Sequence, residues 1–476
     1  VTLGREGGGK DFSLYLQQDH DGVHGMIAGT TGSGKSELLL TLVAGLALRY
    51  PPDWLNLLLV DYKGGTAFDV FHKLPHAVDI LTNLEGNVVE RMFIALRAEL
   101  ERRQALLTEA KVSDIVKYNV KRQETELPPL PFLFIIIDEF AEMVKSNSDY
   151  KAYFDSITRL GRSLGISLLL ATQRPTGAVT EQMSSNIKYR ICLRVQTADD
   201  SRELLGQSDA VYLPSNIPGR AYVRSDNIVP KLVQMAYTGD AVSTEQKKPP
   251  IVLRNISQQP SQHNERDTDI SSGRASAKEE PPIVIQEIVR LIDEVNIIGN
   301  YPRQYKPWPD PLPARLPINL PIDDYYIAKS KSATSRQANG ELYLNAWFND
   351  WLYPSTPHSE SLLAWANGHI GNWENALCAD IGLVDIPQKG KQRILTLDLN
   401  KGPMVVYGAS GWGKTSFLHT LIVSLAITHT PNELHIYAID CGRGGLSVLE
   451  SLPHLGRPID MSEEARVERL FRVLSN

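Results

Sequence analysis

The amino-acid sequence predicts an α/β fold in which helices cover both faces of a mostly parallel central sheet. Through residues 1–240, short apolar runs alternate with longer stretches of helical pattern. Continuous apolar runs are typical of parallel strands that are buried on both faces. A glycine-rich loop directly after one such run, and a second copy of that loop late in the chain, favour the same class. The predicted strands are Gly25–Ala28, Leu57–Val60, Phe132–Ile137, Ser167–Ala171 and Ile191–Val195.

The composition is that of a globular protein with more than one domain. The chain has 476 residues, of which 42% are hydrophobic and 22% are charged. Single cores stop growing near about 250–300 residues, so two or three domains are expected. The net charge of −6 argues against the uniformly basic surface that non-specific nucleic-acid binding requires.

Cysteine usage argues against a disulfide- or zinc-stabilised protein, and hydropathy argues against a membrane-spanning segment in this sequence. The three cysteines, Cys192, Cys378 and Cys441, are widely separated and form no CxxC pair, so neither a disulfide framework nor a zinc site is predicted. No apolar run is long enough to cross a bilayer, and the first ten residues lack the apolar core of a signal peptide. Because the chain begins without methionine and stops in mid-pattern, we expect a piece of a longer protein, with any membrane segments upstream.

Four regions are predicted along the chain. Residues 1–240 form a first module, in which Leu81–Lys121 has the apolar spacing of an amphipathic crossover helix. Residues 241–280 are polar and nearly free of aromatic side chains, which is typical of a flexible linker. Residues 281–339 contain an amphipathic helix at Ile283–Ile298 and a proline-rich, extended segment at Pro302–Pro321. Residues 340–476 begin a second module.

The second module repeats motifs of the first. GTTGSGKSELLLTLVAGLAL and LLLVDYKGG in the first module correspond to GASGWGKTSFLHTLIVSLAI and IYAIDCGRGG in the second, and LPH follows in each. The spacing from Lys35 to Asp61 equals the spacing from Lys414 to Asp440. Equal spacing in two copies indicates that the modules are related.

Residues 29–36 fit the pattern G-x-x-x-x-G-K-[ST] of a phosphate-binding P-loop, between a predicted strand and a predicted helix. Glycines let backbone N–H groups surround phosphate oxygens, and the helix N-terminus adds partial positive charge. Lys35 would reach the β- and γ-phosphates, and the Ser36 hydroxyl would ligate Mg²⁺. The candidate nucleotide-binding residues are Gly29, Thr30, Thr31, Gly32, Ser33, Gly34, Lys35 and Ser36.

Two acids follow the apolar run Phe132–Ile137, as a Walker B strand requires. Asp138 would hold the metal shell, and Glu139 would orient or polarise the attacking water. Mg²⁺ alone needs only the first acid, so the second favours hydrolysis over passive binding. The alternative is a buried strand that meets solvent at an acidic turn.

Three further residues, a glutamine and two arginines, are candidates for catalytic roles. Gln173 follows the predicted strand Ser167–Ala171 and would sense the γ-phosphate, unless it is a plain strand-to-loop junction. Arg190 and Arg202 are candidates for an arginine inserted into a neighbouring subunit's site, where it would neutralise transition-state charge. Either arginine could instead be a surface residue or part of an internal salt bridge.

The second P-loop follows the apolar run Met404–Tyr407. Thr415 would ligate Mg²⁺ there, and Trp412 would pack over the nucleotide or shield the loop. At the spacing found in the first module, its Walker B acids would fall beyond residue 476, so this copy cannot be judged as a catalyst. Its candidate residues are Gly408, Ala409, Ser410, Gly411, Trp412, Gly413, Lys414 and Thr415.

Together these motifs resemble the FtsK/SpoIIIE ATPases, whose modules are RecA-like P-loop NTPases. GTTGSGKSELL, VDYKGGTAFD, FIIIDEFAEM, RLGRSLGISLLLATQRP and YRICLRVQTADDSRELLG carry the resemblance, with LTNL at residues 81–84. The tandem arrangement and the DYKGG box are similar to the EssC/EccC motors of type VII secretion. The resemblance is dense over residues 1–240 and looser over 340–476.

This resemblance implies Mg²⁺-dependent ATP hydrolysis by the cytoplasmic part of a bacterial membrane protein. It also implies assembly into a ring, as a hexamer, partners among the membrane components of the secretion complex, and export of small helical proteins of the WXG100 type. Two alternatives stay open. One is a double-stranded DNA translocase, against which the acidic net charge and the tandem modules count; the other is a nucleotide-gated scaffold that hydrolyses weakly.

Overall fold

The computed structural model describes residues 1–82, 88–225, 228–242, 282–301, 309, 311–318, 321–322, 327–328, 337–338, 341–343, 377–442 and 444–475. The chain divides into two compact units, Val1–Phe93 with Leu100–Lys306 and Ile94–Glu99 with Pro307–Asn476. Residues 243–280 of the predicted linker and half of the proline-rich segment lie outside the described residues, as do two residues of the LTNL motif.

A single sheet organises the first unit, and ten strands of its described part belong to it. Their order across the sheet is β2-β1-β10-β9-β8-β3-β7-β6-β4-β5. The strands are β1 Thr2–Glu6, β2 Asp11–Ser13, β3 Gly25–Ala28, β4 Leu55–Asp61, β5 Ala77–Thr82, β6 Phe132–Asp138, β7 Ile166–Thr172, β8 Tyr189–Cys192, β9 Arg220–Ser225 and β10 Lys231–Met235.

The strands from β8 to β5 run parallel to one another, as the apolar runs predict. Every residue of β3 and β4 is buried, and only the first residue of β6 is not. Burying one leucine fully contributes roughly 1.5–3 kcal/mol, so these strands are a large part of the stability of the unit. In the register of β4 with β6, Asp61 lies opposite Asp138, so two carboxylates end at the same sheet edge.

The other half of the sheet is antiparallel and was not predicted. Strands β9, β10, β1 and β2 pair in sequence beside β8. Their residues mix polar and apolar types, which gives no continuous run. Strand β8 also lies earlier than the predicted run Ile191–Val195, because the chain after Cys192 leaves the sheet to contact the first P-loop.

The described helices that lie wholly or mostly in the first unit are α1 Lys35–Arg49, α2 Val88–Glu109, α3 Ile115–Glu124, α4 Phe140–Ser146, α5 Tyr150–Leu164, α6 Glu181–Asn186, α7 Ala198–Leu205 and α8 Val284–Ile298. Helix α1 buries one face in the core, and α8, in the predicted position, adds Ile285 and Val289 to the same cluster. The amphipathic helix predicted within Leu81–Lys121 is present as α2, but a single helix over the whole range is wrong. Strand β5 occupies its start, and the helical part divides in two where Lys111 has a positive φ and Asp114 caps α3.

The second unit is a smaller α/β arrangement. Its longest strands form an antiparallel pair, and α9 packs against that pair through Leu421 and Leu425. The described elements are β11 Pro321–Ile322, β12 Ile327–Ala328, β13 Gln337–Ala338, β14 Glu341–Tyr343, β15 Cys378–Ile386, β16 Lys391–Asp398, β17 Ile439–Asp440, β18 Ile459–Asp460, α9 Lys414–Thr428 and α10 Glu464–Ser475.

The apolar run before the second P-loop forms no strand. Val405 is 69% exposed and Tyr407 is 91% exposed. In the first unit the corresponding strand, β3, is held between β7 and β8. Among the described residues of the second unit, no strand pairs with this run. Among the helices described, none is long and apolar enough to span a bilayer.

Candidate functional site

The first P-loop lies at the carboxyl ends of the parallel strands. It leaves β3 and enters α1, and its backbone is tied to both strands beside β3. The Gly29 amide donates to the carbonyl of Thr172 on β7 at 3.2 Å, and the Thr30 amide donates to the carbonyl of Arg194, just after β8, at 2.9 Å. The loop is therefore held at the sheet edge where ligands of open α/β folds bind.

Glycine is required within this loop for two separate reasons. Gly34 has φ +97°, in the left-handed region that favours glycine. A Cβ on Gly34 would also lie 2.6 Å from the amide nitrogen of Gly219, and one on Gly29 would lie 2.5 Å from Ser33 Oγ. Side chains at these positions would therefore displace the loop.

Lys35 faces Asp138, the last residue of β6, and Glu139, which follows it. Its Nζ contacts Asp138 Oδ1 and lies 3.0 Å from Glu139 Oε1, and all three side chains are buried. Burial raises the pKa of Glu139, but the charges of Lys35 and Lys63 outweigh burial and hold that pKa below its ordinary value. The carboxylates thus face the P-loop lysine and not bulk solvent.

Glu139 has a strained backbone. It precedes α4 with φ 59° and ψ 39°, a left-handed conformation that costs a non-glycine residue on the order of 1–3 kcal/mol. Its amide donates to Asp138 Oδ1 at 2.9 Å, which stabilises the turn. This backbone conformation aims the Glu139 side chain back toward the P-loop lysine.

Asp61 and Lys63 complete this charged cluster. Asp61 ends β4, and its carboxylate accepts the Lys63 amide at 3.1 Å; burial raises its pKa and Asp138 adds to the rise. Lys63 Nζ reaches Glu139 Oε2 at 3.0 Å. Sequence reasoning used Asp61 only as a spacing marker and gave Lys63 no role. The DYKGG box is the sequence pattern that could have identified both residues as part of the site.

The three further candidates are placed differently. Gln173 lines the cavity, and its Oε1 accepts the Thr31 hydroxyl at 3.3 Å. The Arg190 guanidinium donates to the carbonyl and hydroxyl oxygens of Ser184, both at 2.9 Å, and Arg202 pairs with Asp199 of its own helix at 3.0 Å. Neither arginine lines the cavity of its own chain, so their action in a neighbouring subunit stays a prediction.

A cavity of about 740 Å³ opens over the P-loop, within the usual size range of small-molecule sites. One wall is formed by residues that sequence reasoning missed, at the edge of β9 and β10. No local sequence pattern connects these residues with the P-loop, because more than 180 residues separate them from it. This wall consists of Pro218, Gly219, Gln234, Met235, Ala236 and Tyr237.

The second P-loop has the same loop conformation but different contacts. Gly411 and Gly413 have positive φ, as do Gly32 and Gly34 in the first. Lys414 Nζ donates to the carbonyls of Gly408 and Ala409 at 2.5 and 2.8 Å, not to a carboxylate. The Trp412 side chain is 81% exposed. In the described part of this unit, no acid contacts the lysine.

A model of the FtsK/SpoIIIE family matches residues 1–177 and 375–476, which include both P-loops. The chain belongs to the FtsK/SpoIIIE family. The resemblance expected from the motifs is thereby confirmed, and so is the α/β P-loop ATPase fold.

Secretion proteins are among the relatives of this FtsK/SpoIIIE chain. The type VII secretion system protein EssC of Staphylococcus aureus is 31% identical over 481 aligned residues, which cover 100% of this chain and 30% of EssC. The ESX secretion system protein EccC of Geobacillus thermodenitrificans is 31% identical over 485 aligned residues, which cover 100% of this chain and 29% of EccC. The chain thus spans less than a third of the length of these relatives.

Solved structures of type VII secretion proteins are also similar to this chain. The cytoplasmic domain of the type VII secretion ATPase EccC of Thermomonospora curvata superposes with a TM-score of 0.74 at 32% identity, covering 98% of this chain and 47% of that one. A fragment of EssC from Geobacillus thermodenitrificans that contains ATPases 2 and 3 superposes with a TM-score of 0.64 at 20% identity, covering 100% of this chain and 72% of the fragment, which supports the fold alone. Family and relatives together support ATPase activity.

Proposed function

We propose that this chain is an ATP-hydrolysing motor segment of a type VII protein secretion system. The observation that carries the proposal is the buried contact of Lys35 with both Asp138 and Glu139 beneath a P-loop cavity. A phosphate-binding lysine, an acid for a metal and a second acid for water are the parts that P-loop hydrolysis requires. Similarity to EssC and EccC over the whole chain supports the secretion role.

The residues around the first P-loop fit a triphosphate with Mg²⁺. The loop combines glycines in left-handed conformations, the N-terminus of α1 and a buried Ser33 hydroxyl that has no partner among the described residues. Lys35 would bind phosphate oxygens, while Ser36 and Asp138 would hold the metal ion; Thr415 would serve in the second module. When bound, Mg²⁺ neutralises charge on the β- and γ-phosphates.

Glu139 is the residue we assign to the attacking water. Its carboxylate is buried, and the strained turn and the Asp138 contact fix its position at the cavity. The lowered pKa keeps the carboxylate ionised at neutral pH, so it can accept a hydrogen bond from water. Gln173, hydrogen bonded to Thr31 of the P-loop, would report the γ-phosphate to the loop that follows β7.

The wider assembly is proposed from the relatives. We place the chain in the cytoplasmic part of a bacterial membrane protein, with residues 1–240 as the first ATPase module and 340–476 as the start of the second. Ring formation, a hexameric state, contacts with the membrane components and export of WXG100-like proteins belong to the same proposal. Arg190 or Arg202 would act on a neighbour's site only if subunit contact releases it from Ser184 or Asp199.

Phosphate release by the purified chain tests the function. We expect hydrolysis that requires ATP and Mg²⁺, is unaffected by double-stranded DNA and is changed by a helical-hairpin protein of the WXG100 type. The Glu139→Gln variant, which removes the carboxylate and keeps its shape, is the matched control. Stimulation by DNA alone would favour a translocase, and nucleotide binding without turnover would favour a scaffold.

A further inference from the structure

We propose that Lys63 is a positioning residue that restrains the carboxylate of Glu139, so that the ion pair between them lowers the basal rate of hydrolysis. The proposal rests on the hydrolytic function proposed above. It concerns a lysine that comes from the loop after β4, outside the P-loop and outside the strand that carries the acids.

Both oxygens of Glu139 face an ammonium group. Lys35 Nζ lies 3.0 Å from Oε1, and Lys63 Nζ lies 3.0 Å from Oε2, while the Glu139 side chain is only 6% exposed. Each carboxylate oxygen therefore has an ammonium group as a neighbour, which holds the side chain in place and competes with water for that oxygen. Lys63 therefore opposes the task that Glu139 would have in hydrolysis.

The two lysines differ in what else they contact. Lys35 is buried, begins α1 and also contacts Asp138, so its position is fixed by the P-loop. A triphosphate on that loop would give Lys35 another anionic partner. Lys63 is 52% exposed and reaches Glu139 from the other side, so its hold on the carboxylate would persist when Lys35 binds phosphate.

The loop that carries Lys63 is built to keep it beside Glu139. The Asp61 carboxylate accepts the Lys63 amide at 3.1 Å, and the Gly64 amide donates to the Asp61 carbonyl at 3.3 Å. Gly64 has φ +72°, and a Cβ on Gly65 would lie 2.5 Å from Asp61 Oδ2, so the turn requires glycine twice. The backbone is fixed, but the side chain is half exposed, which makes the restraint reversible by another anion.

Steady-state kinetics of Lys63→Gln test the restraint. Loss of the charge is expected to raise kcat roughly two- to tenfold, because Glu139 Oε2 then lacks the ammonium group that competes with water, while KM for ATP stays within about twofold, since Lys35 and the P-loop still bind phosphate. Lys63→Arg keeps the charge and should restore the wild-type kcat. The matched control is Lys73→Gln, an exposed lysine outside the cavity, which should leave both constants unchanged.

The outcomes separate this proposal from the function beneath it. If the wild-type chain does not hydrolyse ATP, the proposed function fails and the restraint fails with it. If the wild type hydrolyses ATP and Lys63→Gln has an unchanged or lower kcat, only the restraint is overturned.

A double-mutant cycle on thermal stability tests the ion pair without turnover and shows whether each variant folds. Lys63→Gln should lower Tm in the wild-type background and have little effect in the Glu139→Gln background, because the pair is already lost there. Equal shifts of Tm in both backgrounds would show that Lys63 does not pair with Glu139.

Discussion

The amide of Gly219 donates a 2.8 Å hydrogen bond to the carbonyl of Ser33, which joins the turn before β9 to the first P-loop. A Cβ on Gly34 would lie 2.6 Å from the same Gly219 nitrogen. The proposed nucleotide site is therefore completed by a segment that follows the P-loop by more than 180 residues, in the antiparallel half of the sheet.

Gly34→Ala should destabilise the contact between the P-loop and Gly219 by more than the cost of placing alanine at a positive φ. Gly177 has a similar positive φ and open space around it, so Gly177→Ala measures the backbone cost by itself, about 1–2 kcal/mol. Gly34→Ala should lower the free energy of unfolding further and weaken ATP binding, because the Cβ meets backbone that cannot move aside. Urea denaturation and equilibrium binding of ATP measure both effects. Equal losses of stability in the two variants would mean that the Gly219 contact does not constrain the loop.

Lys35→Ala should weaken ATP binding at least tenfold. Lys35 would bind the phosphate oxygens of ATP, so its loss removes that contact. It also leaves Asp138 and Glu139 buried beside one another with less positive charge. The measurement is calorimetric titration with ATP and Mg²⁺, with Lys73→Ala as the control. Unchanged affinity would remove Lys35 from phosphate binding.

Gly25→Ala should destabilise the first unit by about 1–3 kcal/mol through overpacking. A Cβ there would lie 2.0 Å from a ring carbon of Tyr189, which is fully buried on the neighbouring strand. Tyr189→Leu removes the ring, so the double variant should recover part of the loss. Thermal unfolding of the two single variants and the double variant gives the coupling. Additive losses would place the cost of Gly25→Ala elsewhere.

His24 should make the protein sensitive to acid. Burial lowers its pKa to about 4, and its Nδ1 accepts the Leu168 amide at 3.1 Å. Above pH 6.5 the ring is neutral in both states; as pH falls from 6.5 to 4, the unfolded chain binds a proton that the folded chain does not, so stability falls. The loss from this residue is up to about 3 kcal/mol. His24→Gln should show a shallower decline than wild type in urea denaturation across this range, and parallel declines would contradict the burial argument.

The sequence was sufficient where local pattern decides structure. Phe132–Ile137 is apolar throughout and is followed by two acids, so both the strand and the end of it that carries the site could be predicted. Strands such as Arg220–Ser225 and Lys231–Met235 could not be predicted, because mixed side chains are stabilised there by pairing and not by a run. The break at Lys111 likewise depends on a backbone conformation that apolar spacing does not encode.

Site residues within contiguous motifs could be predicted, but those that the fold brings together from distant parts of the chain could not. Residues 29–36 match the P-loop pattern, and Asp138 and Glu139 stand at the end of an apolar run as a Walker B strand requires. Lys63 and Gly219 join them only because β4 ends and β9 begins near the P-loop in the folded sheet. For Arg190 and Arg202, the sequence left a surface position or an internal salt bridge open as alternatives; Arg202 forms an exposed ion pair with Asp199, and Arg190 donates hydrogen bonds to Ser184.

The most direct test of the account is Glu139→Gln, with ATP binding and phosphate release measured on the same preparation. The account predicts binding within about threefold of wild type, because the phosphate contacts are unchanged, and turnover reduced at least a hundredfold, because the base is lost. Turnover equal to that of wild type would contradict the assignment of Glu139 to the attacking water and the hydrolytic mechanism built on it.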